Sequence, residues 1–189
     1  MSINLQKGQR VDLSKEDGGS LKQVIVGLGW DIAQRGVAID CDASAILCKA
    51  GGKTSGIGDT VYFGNLTHPS KAVQHSGDNL TGAGEGDDEQ ISVDLQKIPA
   101  EYEKIVFVVN IYKGNERNQH FGLIQNAFIR IVDKESGAEI LKYDLSETYP
   151  GMTGMIFGEI YRHNGKWKFS AQGQPVQASY ISELVKLYS

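Results

Sequence analysis

The sequence predicts an all-β fold, a two-sheet β-sandwich with a short C-terminal helix, in one domain over residues 1–189. Three observations carry this. About ten segments rich in β-branched and aromatic residues recur at the spacing of sandwich strands. Asn164-Gly165 joins two of them, and Asn-Gly is the strongest short hairpin signal because a type I′ turn needs positive φ at both central residues. Helical spacing shows clearly only in the tail, at Tyr180, Ile181, Leu184, Val185 and Tyr188. Strands do not alternate with long helices, which disfavours Rossmann and TIM architectures.

In chain order, residues 3–13 read as two short strands joined at Lys7-Gly8-Gln9, and residues 22–30 as a largely buried strand. Gly27 and Gly29 alternate within it, a sign of close backbone approach or a bulge. Residues 37–48, VAIDCDASAILC, place Asp40, Asp42 and Ser44 on one face and Ile39, Cys41, Ala43 and Ala45 on the other, a half-buried strand. A Gly-rich loop follows over 49–60, then strands at 61–66, 71–77 and 90–95. KIVFVVNIY, 104–112, is the most apolar run and reads as a central strand, followed by a polar loop over 113–125. Residues 126–133 and 138–145 form one hairpin and 155–163 and 166–173 a second. The tail helix takes Ser179 or Ser182 as its cap.

Length and composition bound the function. A chain of 189 residues suits one domain, burying roughly 70% of its unfolded surface. A net charge of -4 with no Lys/Arg run argues against nucleic acid. No stretch reaches the roughly eighteen apolar residues of a membrane helix, so direct membrane insertion is not expected. MSINLQKGQRVDLS lacks an apolar signal core, which with only two cysteines fits a cytoplasmic location. Cys41 and Cys48, seven apart on one strand, point to opposite faces and cannot pair within it.

Gly77 to Glu89, GDNLTGAGEGDDE, packs five carboxylates and four glycines into thirteen residues with no Lys, Arg or aromatic side chain. Glycines let a backbone turn tightly and direct carbonyls inward. Clustered hard oxygens on a bent backbone suit Ca²⁺, which takes six to eight oxygen ligands. The bland alternative is a solvated connector, but strand-like sequence bounds the loop on both sides. Asp40 and Asp42 form a second acidic cluster, and ionised aspartates two apart repel unless a cation or solvent intervenes. Asp31, at a strand end after Trp30, can reach the same region.

GDNLTGAGEGDDE, together with VGLGWD, AIDCDASAIL, KIVFVVNIY, NQHFGLIQNAFIRIVD, YDLS and GEIYRHNGKWKF, resembles the TerD family of tellurium-resistance and stress proteins, in order from about residue 2 to 188. The resemblance implies a Ca²⁺-binding β-sandwich, bacterial and cytoplasmic, acting in resistance to tellurite and other stresses and not known as an enzyme. Carried over by match, Asp78, Asn79, Asp87, Asp88 and Glu89 fall on the acidic signature, Asp40 and Asp42 on the DxDAS motif, and Asp31 after the Gly-Trp pair. Leu80 and Gly82 would offer backbone carbonyls. Cys41 stands where the family usually has leucine, and Lys113-Gly114 where an Asp-Ala pair is common, which puts an acidic contact from that loop in doubt. A protein partner in a membrane-associated stress complex is a further expectation.

Rival readings fit less well. An EF-hand fails because positions three and five, counted from Asp78, are Leu80 and Gly82. Carboxylates would repel a phosphate from the Gly82–Gly86 segment, and no helix follows. So many protein oxygens favour Ca²⁺ over Mg²⁺. A metal-assisted hydrolase using the acidic cluster is the alternative function. His68, His75, His120 and His163 lack spaced partners, although His75 could flank the site. Direct handling of tellurite by two thiols is the least favoured reading.

Overall fold

A computed structural model describes residues 2–15, 18–32, 37–76, 86–145 and 147–189. Twelve strands are present among them: β1 Ile3–Leu5, β2 Arg10–Asp12, β3 Gln23–Ile32, β4 Cys41–Lys49, β5 Thr60–Val61, β6 Val73–His75, β7 Glu89–Asp94, β8 Tyr102–Ile111, β9 Ile124–Asp133, β10 Glu139–Asp144, β11 Gly154–His163 and β12 Lys166–Val176. They form two six-stranded sheets, ordered β1-β10-β9-β3-β7-β6 and β2-β12-β11-β8-β4-β5. All pairs are antiparallel except β1 with β10. The two-sheet sandwich is as the sequence predicts.

Alternation builds the core. Val24, Val26 and Leu28 of β3 share one buried core with Ala43, Ala45 and Leu47 of β4 and with Phe107, Phe157 and Phe169, all six of these from the second sheet. All three phenylalanines are fully buried, and each such ring stabilises the fold by about 1.5–3 kcal/mol. A second apolar layer lies outside the second sheet. Ile46, Cys48, Val106, Val108 and Ile156 pack there against Leu184 and Val185 of the C-terminal helix α2, Ile181–Lys186. The two cysteines therefore do lie on opposite faces, both free and buried.

This layer corrects the reading of the Asp40–Ser44 segment. The strand begins at Cys41 and is not half-buried: Asp42 and Ser44 are enclosed like the apolar face, because the C-terminal segment covers the outer side of the sheet. Alternation reports two faces, not what covers them. Other boundaries move for local reasons. The strand expected over 61–66 shrinks to Thr60–Val61, since Tyr62 and Asn65 pair across a tight turn. The loop over 113–125 holds a one-turn helix α1, Gly114–Arg117, and a 3-10 turn at Phe121–Leu123. Neither serine hydroxyl caps α2; the Glu183 carboxylate reaches back to accept the N–H groups of Ser179 and Tyr180 at 2.7 and 3.1 Å. Among the described residues no helix is long and apolar enough to cross a membrane.

Candidate metal centre

One end of the sandwich gathers the acidic residues. There β3 ends at Ile32, paired with Ile124 at the start of β9, and β7 begins at Glu89, paired with Leu28. In the other sheet β4 begins at Cys41 opposite Ile111 at the end of β8. Asp31, Asp40, Asp42, Asp87, Asp88 and Glu89 all stand at this end. The stretch 77–85, with the expected ligands Asp78, Asn79, Leu80 and Gly82, lies outside the described residues.

Three consecutive carboxylates bind three different elements. Gly86, at φ +108, turns the chain into β7, a conformation glycine adopts without strain. Asp87 then accepts from Arg130 of β9, Nε to Oδ1 at 2.7 Å and Nη2 to Oδ2 at 3.0 Å, and from Gln90 Nε2 at 2.9 Å. Its side chain is only 1% exposed. Gly27 makes room: a Cβ there would overlap the Asp87 carboxylate. Asp88 Oδ2 accepts the backbone N–H of Trp30 at 2.7 Å, and its own N–H donates to the Leu28 carbonyl at 2.8 Å. Glu89 crosses to the opposite sheet and accepts the Ala43 N–H at 2.6 Å.

The Glu89 bond completes a ladder. β5 pairs with β4 only at Ala45 and Ile46, so it stops short of Ala43. Glu89 takes the Ala43 N–H, and His75 Nε2 lies 3.1 Å from the Ala43 carbonyl and 3.2 Å from Glu89 Oε2. Two side chains of one sheet thus replace backbone partners absent from the other. The backbone groups of a strand need partners when buried, and both side chains are 1% exposed.

Electrostatics tie the cluster together. Burial raises the Asp88 pKa, and the charges of Asp31 and Asp87 add to that rise, against the opposing bond from the Trp30 N–H. Burial pushes the Cys41 thiol well up, reinforced by the negative field of Asp42, Glu89, Asp40 and Asp88. Cys48 is raised to about 11, mainly by burial. Neither thiol forms a reactive thiolate at neutral pH. Asp31 is exposed and accepts from Asn126 Nδ2 at 2.8 Å; Asn126, at φ +51, forms the irregularity that turns its side chain there. Lys113 Nζ sits 5.4 Å from the centroid of the Tyr112 ring.

A donor set of carboxylate oxygens, one of them on a carboxyl whose pKa is raised first by burial and then by like charges, fits a hard divalent cation in chemical type. Among the described residues, however, no three His, Cys, Asp or Glu side chains are grouped closely enough to hold a metal by themselves. A cavity of about 860 Å³ opens beside Asp31, lined by Trp30, Phe121, Phe128 and Lys142 among others. Its described lining contains no His, Cys or Ser. Arg130 and the ladder role of His75 escape a reading of the sequence. The available signals were one arginine in the otherwise apolar AFIRIV and a histidine two residues before Gly77.

The architecture and its carboxylate-lined end define a class of acidic-ended β-sandwich proteins. The chain belongs to the TerD domain family, whose profile matches residues 1–188. It is 46% identical over 200 residues to stress response protein SCP2 of Bacillus subtilis (strain 168), covering 100% of both chains. It is 47% identical over 175 residues to tellurium resistance protein TerD of Serratia marcescens, covering 92% of this chain and 91% of that one. A crystal structure of a homologue of telluride resistance protein (TerD) from Streptomyces coelicolor A3(2) matches the fold with a TM-score of 0.71 at 20% identity, over 90% of this chain and 99% of that one.

Proposed function

We propose that this protein is a non-enzymatic, calcium-binding member of its stress-response and tellurium-resistance family, working in the cytoplasm through a protein partner. Of the expected ligands, Asp31, Asp40, Asp42, Asp88 and Glu89 supply carboxylates, Asp78 and Asn79 supply side-chain oxygens, and Leu80 and Gly82 supply carbonyls, while the Asp87 carboxylate is taken up by Arg130 and Gln90. The observation that carries the reading is the gathering of these acidic residues from both sheets at one end of the sandwich, where Asp88 and Glu89 are fixed by the Trp30 and Ala43 N–H groups and burial disfavours the Asp88 charge. A divalent cation would reverse that penalty. Calcium held by these residues would stabilise the native state by mass action, because the unfolded chain lacks the assembled site.

Calorimetric titration of chelator-stripped protein with calcium, against magnesium as competitor, tests this. Heat on calcium addition and a higher melting temperature are expected, and Asp78→Ala should remove most of that rise. No heat and no stabilisation at millimolar calcium would overturn it. Partner capture that is indifferent to chelator would overturn the coupling to a partner.

A further inference from the structure

The geometry points to a division of labour within the acidic run: Asp87 and Arg130 form a strut that sets calcium affinity, and neither one touches the ion. This rests on the calcium reading above and refines which residues serve it. A carboxylate oxygen offers about two lone-pair sites. Asp87 Oδ2 spends both, on Arg130 Nη2 and Gln90 Nε2. Oδ1 accepts from Arg130 Nε at 2.7 Å, which seats a full positive charge on the carboxylate's open edge. A calcium ion at bonding distance from Oδ1, about 2.3–2.6 Å, would press against that guanidinium. Asp88, by contrast, spends Oδ2 on the Trp30 N–H and has no other side-chain hydrogen bond among the described residues.

The surroundings of Asp87 are built for holding position. The Gly27 backbone leaves the space its carboxylate fills. Arg130 is itself braced by Glu139, Nη1 to Oε2 at 3.2 Å. Ser2 Oγ donates to the other Glu139 oxygen at 2.6 Å, extending the chain to the sheet edge. The strut therefore runs across β10, β9 and β3 to Asp87, the second residue before β7. It fixes where Asp88 and Glu89 emerge, one residue further on, where a small displacement would misplace a ligand.

The test is calcium titration of the full-length wild type, Arg130→Gln, Asp87→Asn and the double variant, with amide exchange at Asp88 measured in chelator. Each single change should weaken calcium binding about tenfold without altering stoichiometry. The double should be no weaker than either single, and Arg130→Lys should recover part of the loss. In chelator the Asp88 amide should exchange faster in both singles. Asp87→Asn losing stoichiometry, or falling far below Arg130→Gln, would make Asp87 a ligand and overturn the strut. So would unchanged affinity and exchange in Arg130→Gln. If wild type takes up no calcium, the calcium reading and the affinity claim fall together, while the exchange data still decide whether the strut holds the chain.

Discussion

Two acidic turns sit at opposite ends of the first sheet, and they answer the same chemical problem differently. At the β9–β10 turn, Asp133 accepts from the Ser136 hydroxyl at 2.7 Å and the Glu135 N–H at 3.2 Å. Glu135 pairs with Lys15 at 2.6 Å. Ser136 above all holds Asp133 below the ordinary carboxylate value, and Lys15 does the same for Glu135. At the entry to β7, burial and like charges push Asp88 the other way. Acidic residues alone therefore do not mark a cation site. What matters is whether the protein itself meets their charge.

The largest expected effect breaks the second end outright. Glu89→Ala leaves the buried Ala43 N–H and the His75 ring without this acceptor. It should cost about 3 kcal/mol in chelator and abolish the calcium-induced rise in melting temperature, both read by thermal and urea unfolding.

Asp88→Asn separates charge from shape. The amide oxygen can still accept the Trp30 N–H, but nothing there ionises. A folded-state pKa above the unfolded value of 3.8 makes the native state hold its proton longer. In chelator, that contribution is present below the unfolded value and is lost as pH rises through the folded one. The variant should lack this loss, be no less stable than wild type at neutral pH, and gain little from calcium. A variant that melts well below the wild type in chelator would show that the Asp88 charge is already compensated.

The smallest effect belongs to the turn that is already satisfied. Asp133→Ala should cost about 1 kcal/mol at neutral pH and leave calcium binding unchanged. Because this pKa is lowered, the stability is present above the unfolded value of 3.8 and disappears as pH falls through the folded one. Urea unfolding across acidic pH checks it; a calcium-dependent difference between variant and wild type would erase the contrast between the two turns.

The sequence made the strands legible because alternation and turn chemistry are local. Asn164-Gly165 and the period-two run QISVDL announce themselves within a few residues. What it could not show depends on distant covering and pairing. Asp42 and Ser44 look like a wet face until α2 and its flanking chain are laid over them. Gly27 signals close approach, but nothing nearby says that the approaching group is a carboxylate sixty residues away. His75 reads as an ordinary strand residue because its task arises from the shortness of β5.

The sheet margins carry one more consequence. Each sheet finishes in very brief strands, β1, β2 and β6 of three residues and β5 of two. A long row of open N–H and C=O groups is what lets one chain extend the sheet of another. Among the described residues the outermost strands offer only short rows of such groups, a poor template for strand-by-strand growth between copies.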